Sequence, residues 1–125
     1  MSAGVYDMLV EQGSEYGITV IIKNKDGSRK DLTGYTGKAQ IRRKPSAPVV
    51  DGEFIIEFTE PRDGAGMGEV KLSLPGAITS AIKVGDSISA ANSQFVYDFE
   101  VYDSKGLPLR VLNGKLAISP AVTRQ

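Results

Sequence analysis

The sequence predicts an all-β fold. The expected form is one antiparallel β-sandwich of about seven to eight strands, immunoglobulin-like in outline, with one short helix, and a single domain over residues 1–125. Three observations lead there. Apolar and polar residues alternate with period two in several short runs, as strands with one buried face require. Fourteen glycines and six prolines punctuate those runs at the spacing of an all-β sandwich or barrel. Apolar residues recur at helical spacing in one place only, residues 75–83.

The strongest strand signal covers residues 94–103. Phe95, Tyr97, Phe99 and Val101 fall on one face, and Gln94, Asp98 and Glu100 on the other. This ribbon is expected to be central, with the other strands built around its aromatic face. From the start of the chain, residues 5–10 read as a short strand, apolar on both sides, ending at Gln12-Gly13. In residues 15–23, Tyr16, Ile18, Val20 and Ile22 share a face and Ile21 opposes them. The run Asn24-Lys25-Asp26-Gly27-Ser28 is a hairpin turn, because Asp-Gly supplies a positive-φ position.

Asp31-Leu32-Thr33-Gly34 connects to a strand over residues 35–43. Its inward face is Tyr35, Gly37, Ala39 and Ile41, where small residues make room for bulk on a facing strand. Pro45 and Pro48 end it in a loop. Residues 53–59 form the next strand, with Phe54, Ile56 and Phe58 inward and Glu53 and Glu57 outward. A glycine-rich loop over 60–68 follows, and then a cleanly alternating strand over 69–74 with Val70, Leu72 and Leu74 inward. Proline suits the first turn of the helix at 75–83, which Ala77, Ile78, Ala81 and Ile82 stripe. Residues 84–93 look irregular. After the aromatic strand, 103–106 is a turn and Leu107, Leu109 and Val111 begin a strand. Asn113-Gly114 reads as a hairpin, and 115–122 closes the fold.

Composition narrows function mainly by exclusion. Absence of cysteine excludes disulfides and thiolate chemistry, and absence of histidine removes the commonest general base and metal ligand. Fifteen basic residues balance fifteen acidic ones, so the chain lacks the basic field that drives nucleic-acid binding. No apolar run approaches the ~20 residues of a membrane helix, and no secretory signal is expected from the first residues. No cofactor, metal site, catalytic residue or small-molecule substrate is expected.

Four stretches invite chemistry. Asp98, Glu100 and Asp103 could pair as acid and base, but outward acids also keep a strand solvated. Residues 24–28 and 103–106 hold Asp and Gly, yet Lys25 and Lys105 break any calcium-loop spacing. Gly64-Ala65-Gly66-Met67-Gly68 lacks the following helix that a phosphate loop needs. Arg42-Arg43-Lys44 is a compact basic run, suited to phosphate or an acidic partner surface, or to holding a strand end in water. For an interface, the chain offers Arg42, Arg43, Arg62 and Met67, with Ile21, Ile55 and Leu112 apolar at positions expected to face outward. A second class is a carbohydrate- or host-receptor-binding module. It would want exposed aromatics beside amides, for which Tyr6, Tyr35 and Tyr102 are available.

Two runs carry a resemblance: Asp31-Leu32-Thr33-Gly34-Tyr35-Thr36, and the closing Gly114-Lys115-Leu116-Ala117-Ile118-Ser119-Pro120-Ala121-Val122-Thr123-Arg124. With Glu11-Gln12-Gly13, Gly68-Glu69-Val70, Leu72-Ser73-Leu74 and Tyr97-Asp98 in the same order, the chain resembles small β-sandwich virion structural proteins of tailed bacteriophages. It is similar to the N-terminal domain of phage baseplate upper proteins. The resemblance implies a non-enzymatic component of the tail, baseplate, neck or head decoration, located in the virion and assembled in the host cytoplasm. Its implied partners are other virion proteins and copies of itself. The sequence departs from the family pattern at residues 90–96, where a tight glycine turn is usual, so residues 84–93 read as an insertion used for a contact.

Overall fold

A computed structural model describes residues 4–43, 50, 52–81 and 93–119. The predicted proline loop after Arg43, the irregular segment at 84–92 and the closing residues 120–125 lie outside the described residues. Among the described residues, nine strands form two sheets. β1 (Gly4–Val5), β2 (Met8–Glu11), β4 (Thr36–Arg42), β5 (Gly52–Glu53), β8 (Ser93–Tyr102) and β9 (Pro108–Ser119) make the larger sheet, in order β1-β9-β8-β4-β5 with β2 also on β9. β3 (Tyr16–Ile21), β7 (Glu69–Leu74) and β6 (Ile55–Phe58) make the smaller one, in order β3-β7-β6. The helix α1 (Gly76–Ala81) follows β7. Neighbouring strands are antiparallel except that β1 and β2 run parallel to β9. An antiparallel three-stranded layer facing a longer, mainly antiparallel one, with connections that cross between them, defines an immunoglobulin-like β-sandwich.

The aromatic strand is central, as its pattern predicts. β8 lies between β4 and β9, and Phe95, Tyr97, Phe99 and Val101 are all buried. They meet Ala39 and Ile41 of β4, Met8 and Val10 of β2, and Leu116 and Ile118 of β9, while Val70, Leu72 and Leu74 of β7 face them from the other sheet. Gly37 accommodates that bulk. A Cβ there would sit 3.3 Å from both Ile56 and Phe99 side-chain atoms. Leu32, in the connector, is 1% exposed and belongs to the core, although the sequence marks it only as a loop residue.

Four expectations are corrected. The strand expected over 53–59 is two strands in two sheets: β5 pairs with β4, and β6 pairs with β7. Phe54 at the crossover is buried, so the inward alternation continues through the switch and conceals it. Asn113-Gly114 is not a hairpin but the middle of β9, which continues unbroken to Ser119. The strand expected over 5–10 breaks at Tyr6-Asp7 into β1 and β2. Leu112 faces inward, opposite Phe99, and packs on the core. A register shift in β9, between the partners of Phe99 and Glu100, inserts Val111 and resets the alternation beyond it.

The helix is also anchored otherwise than its stripe suggests. Ile78 packs on the core, Ala77 and Ala81 are exposed, and Ile82 lies outside the described residues. The buried residue is Thr79. Its Oγ1 accepts from the Gly13 N–H at 3.0 Å and donates to the Ser14 carbonyl at 2.8 Å, tying α1 to the loop between β2 and β3.

Candidate functional site

The expected interface residues do not gather into one patch. Ile21 and Ile55 are both on the outer side of the small sheet but diagonally apart. Ile21 pairs with Glu69 at one end of β7, and Ile55 with Ser73 near the other. Ile55 is half exposed, whereas Ile21 lines a groove of about 480 Å3 with Leu109 and Val111 at the open side of the sandwich. Arg62 is engaged within the molecule. Its Nη1 donates to the carbonyls of Leu32 and Tyr35 at 3.2 and 2.8 Å, its Nε meets Glu60 at 2.9 Å, and its guanidinium lies 4.4 Å above the Phe58 ring. It therefore clamps the β6–β7 loop to the connector before β4. Met67 is half-buried in the same loop. Arg43 lies over Phe95 at 5.3 Å. The two turns that held Asp and Gly are turns: Asp26 accepts from the Ser28 N–H and hydroxyl, and Asp103 from the N–H groups of Lys105 and Leu107. The Ser28 hydroxyl and N–H also hold the Asp26 carboxyl below its ordinary range.

The tyrosines do not form a platform. Tyr6 is exposed beside β1, Tyr35 lies at the inward end of β4 under the Lys30 ammonium, and Tyr102 is on the outer face of β8 with its hydroxyl on Glu100. Buried Tyr97 is used structurally, its hydroxyl donating to the Tyr6 carbonyl. Burial raises the Tyr97 phenol well above the ordinary range, and burial with the nearby Tyr6 pushes Tyr16 up to about 12.

Two surfaces stand out. The first is the β1–β2 margin of the larger sheet, where Val5, Tyr6 and Leu9 are 78%, 47% and 60% exposed. Met8 and Val10 fill the core from the same strand, so Leu9 is on its solvent side. The second is a groove of about 510 Å3 on the outer face of β4, β8 and β9. Pairing across these strands sets side chains in rungs: Arg42–Val96–Lys115, then Gln40–Asp98–Asn113, then Lys38–Glu100–Arg110. Arg42 Nη2 donates to Gln40 Oε1 at 3.1 Å, and Arg110 stands 3.7 Å from Asp98 and 3.6 Å from Glu100. From the sequence, Arg42 reads as an interface residue, Asp98 and Glu100 as outward acids and Asn113 as part of a turn. Which of them share a rung depends on pairing between segments far apart in the chain.

Asp98 is the perturbed acid of this face. Burial, with the Glu100 charge beside it, raises its carboxyl pKa, and Arg110 and Arg42 oppose the rise only in part. A carboxyl whose folded pKa is raised stabilises the fold below its unfolded value of about 3.9, and that contribution is lost as pH rises through the folded value. Asp98→Asn should therefore be more stable than the parent at pH 7, with the gap closing below about pH 4. Urea unfolding at pH 3 and pH 7 checks this. Equal stabilities at both pH values, or a less stable variant at pH 7, would contradict it.

No protein-family model matches the chain, and no curated protein matches it. Among solved structures, the chain is similar to murine CRIg at 11% identity, with 92% of each chain covered and a TM-score of 0.40. It is also similar to a 2,6-sialyltransferase from Photobacterium sp. JT-ISH-224 at 12% identity, with a TM-score of 0.27. That match covers 96% of this chain and 18% of the other. Among the described residues, no three acidic, His or Cys side chains are grouped to hold a metal, and no helix is long and apolar enough to cross a membrane.

Proposed function

We propose that this chain is a non-enzymatic structural component of a tailed-phage virion that works through protein–protein contacts with other virion proteins and with copies of itself. The observation that carries the reading is the β1–β2 margin. Val5, Tyr6 and Leu9 expose large apolar side chains on and between β1 and β2, the edge strands of the larger sheet among the described residues. Monomeric proteins usually blunt such a margin with charge or cover it, so apolar exposure there suits a contact with another chain. The resemblance supplies the setting. Its two most specific runs have defined structural uses, the first in the connector into β4 and the second, over residues 114–119, in the half of β9 that pairs with β2. The exposed Ile55, on the other sheet, and the arginines at the end of β4 would supply separate further contacts.

Mass spectrometry of gradient-purified particles of the phage that encodes the chain tests this. The chain should be present in the particles in multiple copies. Its absence from purified particles, with the protein abundant in the infected-cell lysate, would sink the reading.

A further inference from the structure

We propose that two copies of this chain join edge to edge along β3, antiparallel about a two-fold axis at Thr19, so that two three-stranded sheets become one of six strands. The proposal rests on the reading that copies of the chain contact one another, and it names the edge and the register. Among the described residues, β3 is paired on one side only, by β7. The Ile22 N–H donates to the Gly68 carbonyl on that side. Antiparallel pairing alternates, so Ile18 and Val20 also turn their backbone groups to β7, and Gly17, Thr19 and Ile21 turn theirs to the open side. The edge lacks the devices that usually blunt one. It runs six residues, Tyr16 to Ile21, with no proline, no charge and no break in register.

The residues along this edge select a second copy as the strand that pairs with it. With the axis at Thr19, Glu15 of one copy stands opposite Lys23 of the other, and the two-fold repeats that pair at the far end. Both side chains are exposed, and among the described residues neither has an ion-pair partner within its own chain. Arg29 stands beside Lys23 across the turn and adds to its attraction for Glu15. The other charges nearby, Glu69 and Lys71 on β7 and Lys25 and Asp26 in the turn, cancel. Thr19 meets its own copy at the axis, a favourable cross-strand pair, and Gly17 leaves room for the Ile21 opposite it. On the inner face Tyr16 comes opposite Ile22 and Ile18 opposite Val20, so the half-buried Tyr16 and Ile18 gain apolar cover. A slip of one residue would set the inner face of one copy against the outer face of the other. Tyr16 lies near Tyr6, so the strand pair forms alongside the exposed β1–β2 margin.

Sedimentation equilibrium of the purified full chain, from about 1 μM to about 1 mM, tests this. The chain should dimerise with a dissociation constant in the micromolar range, on the order of 10–100 μM. Glu15→Lys and Lys23→Glu, both at exposed positions, should each weaken the dimer at least about tenfold, and the double reversal should restore it to within about threefold of the parent. Amide exchange should slow with rising concentration at Gly17, Thr19 and Ile21, and stay constant at Ile18 and Val20, which β7 already holds. Leu9→Lys, on the larger sheet, should leave the dimer in place. A dimer unmoved by either single reversal but lost in Leu9→Lys would overturn this proposal and keep contact between copies through the β1–β2 margin. A double reversal no tighter than the single ones would overturn it too. A chain still monomeric at about 1 mM would overturn it together with contact between copies. The virion reading stands or falls separately, on the protein content of the particles.

Discussion

Phe99→Ala should lower the unfolding free energy by about 3–5 kcal/mol, among the largest losses a single side-chain truncation causes. Phe99 is fully buried at the middle of β8, opposite Ala39 on one neighbouring strand and Leu112 on the other. Its ring reaches the space above Gly37, where the facing Ile56 also arrives. The smallness of Gly37 and Ala39 makes the site intolerant of truncation. Neither has a side chain that can swing into the vacated volume, and both are fixed in a sheet ladder, so the cavity stays open. A domain of this size is stable by about 5–15 kcal/mol, so the variant would lose a large share of its margin. Urea unfolding should show a lower midpoint with an unchanged slope. Phe99→Leu, which keeps most of the volume, should recover more than half of the loss. A loss below about 1 kcal/mol for Phe99→Ala would mean that β8 is not the organising strand.

The same residues show what the sequence could convey. Period-two alternation is a local property, and it located the inward faces of β3, β4, β7 and β8 because the large apolar residues of each recur mainly on one side. It carries no information about which strand lies beside which. Residues 52–58 keep their alternation while leaving one sheet and entering the other at Phe54, since both sheets present their inner faces to one core. Leu112 was misassigned for a related reason. The extra residue Val111 shifts the phase of β9, and nothing in the local sequence announces a bulge. The polar groove was invisible for the strongest version of that reason. Gln40, Asp98 and Asn113 are each ordinary outward residues, and only the pairing β4-β8-β9 puts them in one rung. The clamping role of Arg62, read from the sequence as an interface residue, and the anchoring role of Thr79 rest on backbone carbonyls and N–H groups, which leave no compositional trace.

Gly114→Val should destabilise the domain by about 3 kcal/mol or more and release the N-terminal strands first. Asn-Gly commonly signals a tight turn, but Gly114 is within β9 and its φ is negative or extended. The glycine is needed for approach. A Cβ at Gly114 would lie 2.3 Å from the Tyr6 carbonyl oxygen, 2.9 Å from the Tyr6 carbonyl carbon and 3.0 Å from Asp7 Oδ1. Two of these are backbone atoms that cannot rotate away. The crossing is held by three hydrogen bonds: Tyr6 N–H to the Asn113 carbonyl at 3.0 Å, Lys115 N–H to Asp7 Oδ1 at 2.9 Å, and the Tyr97 hydroxyl to the Tyr6 carbonyl. A side chain at Gly114 must displace residues 6 and 7 and break them together, at about 0.5–1.5 kcal/mol each before any loss of packing. β1 and β2 flank this crossing, so Met8 and Val10 would be drawn out of the core while β4, β8 and β9 stay paired. Hydrogen exchange should then show lost protection across residues 8–11 and near-parent protection in β8. Gly27→Asn, at an exposed turn position with φ of +91° that asparagine tolerates, should cost far less. Parent-like stability and exchange in Gly114→Val would show that the crossing does not need glycine. Because the exposed Val5, Tyr6 and Leu9 lie on the segment so released, the variant should also lose whatever association that margin supports, even where the rest of the sandwich remains folded.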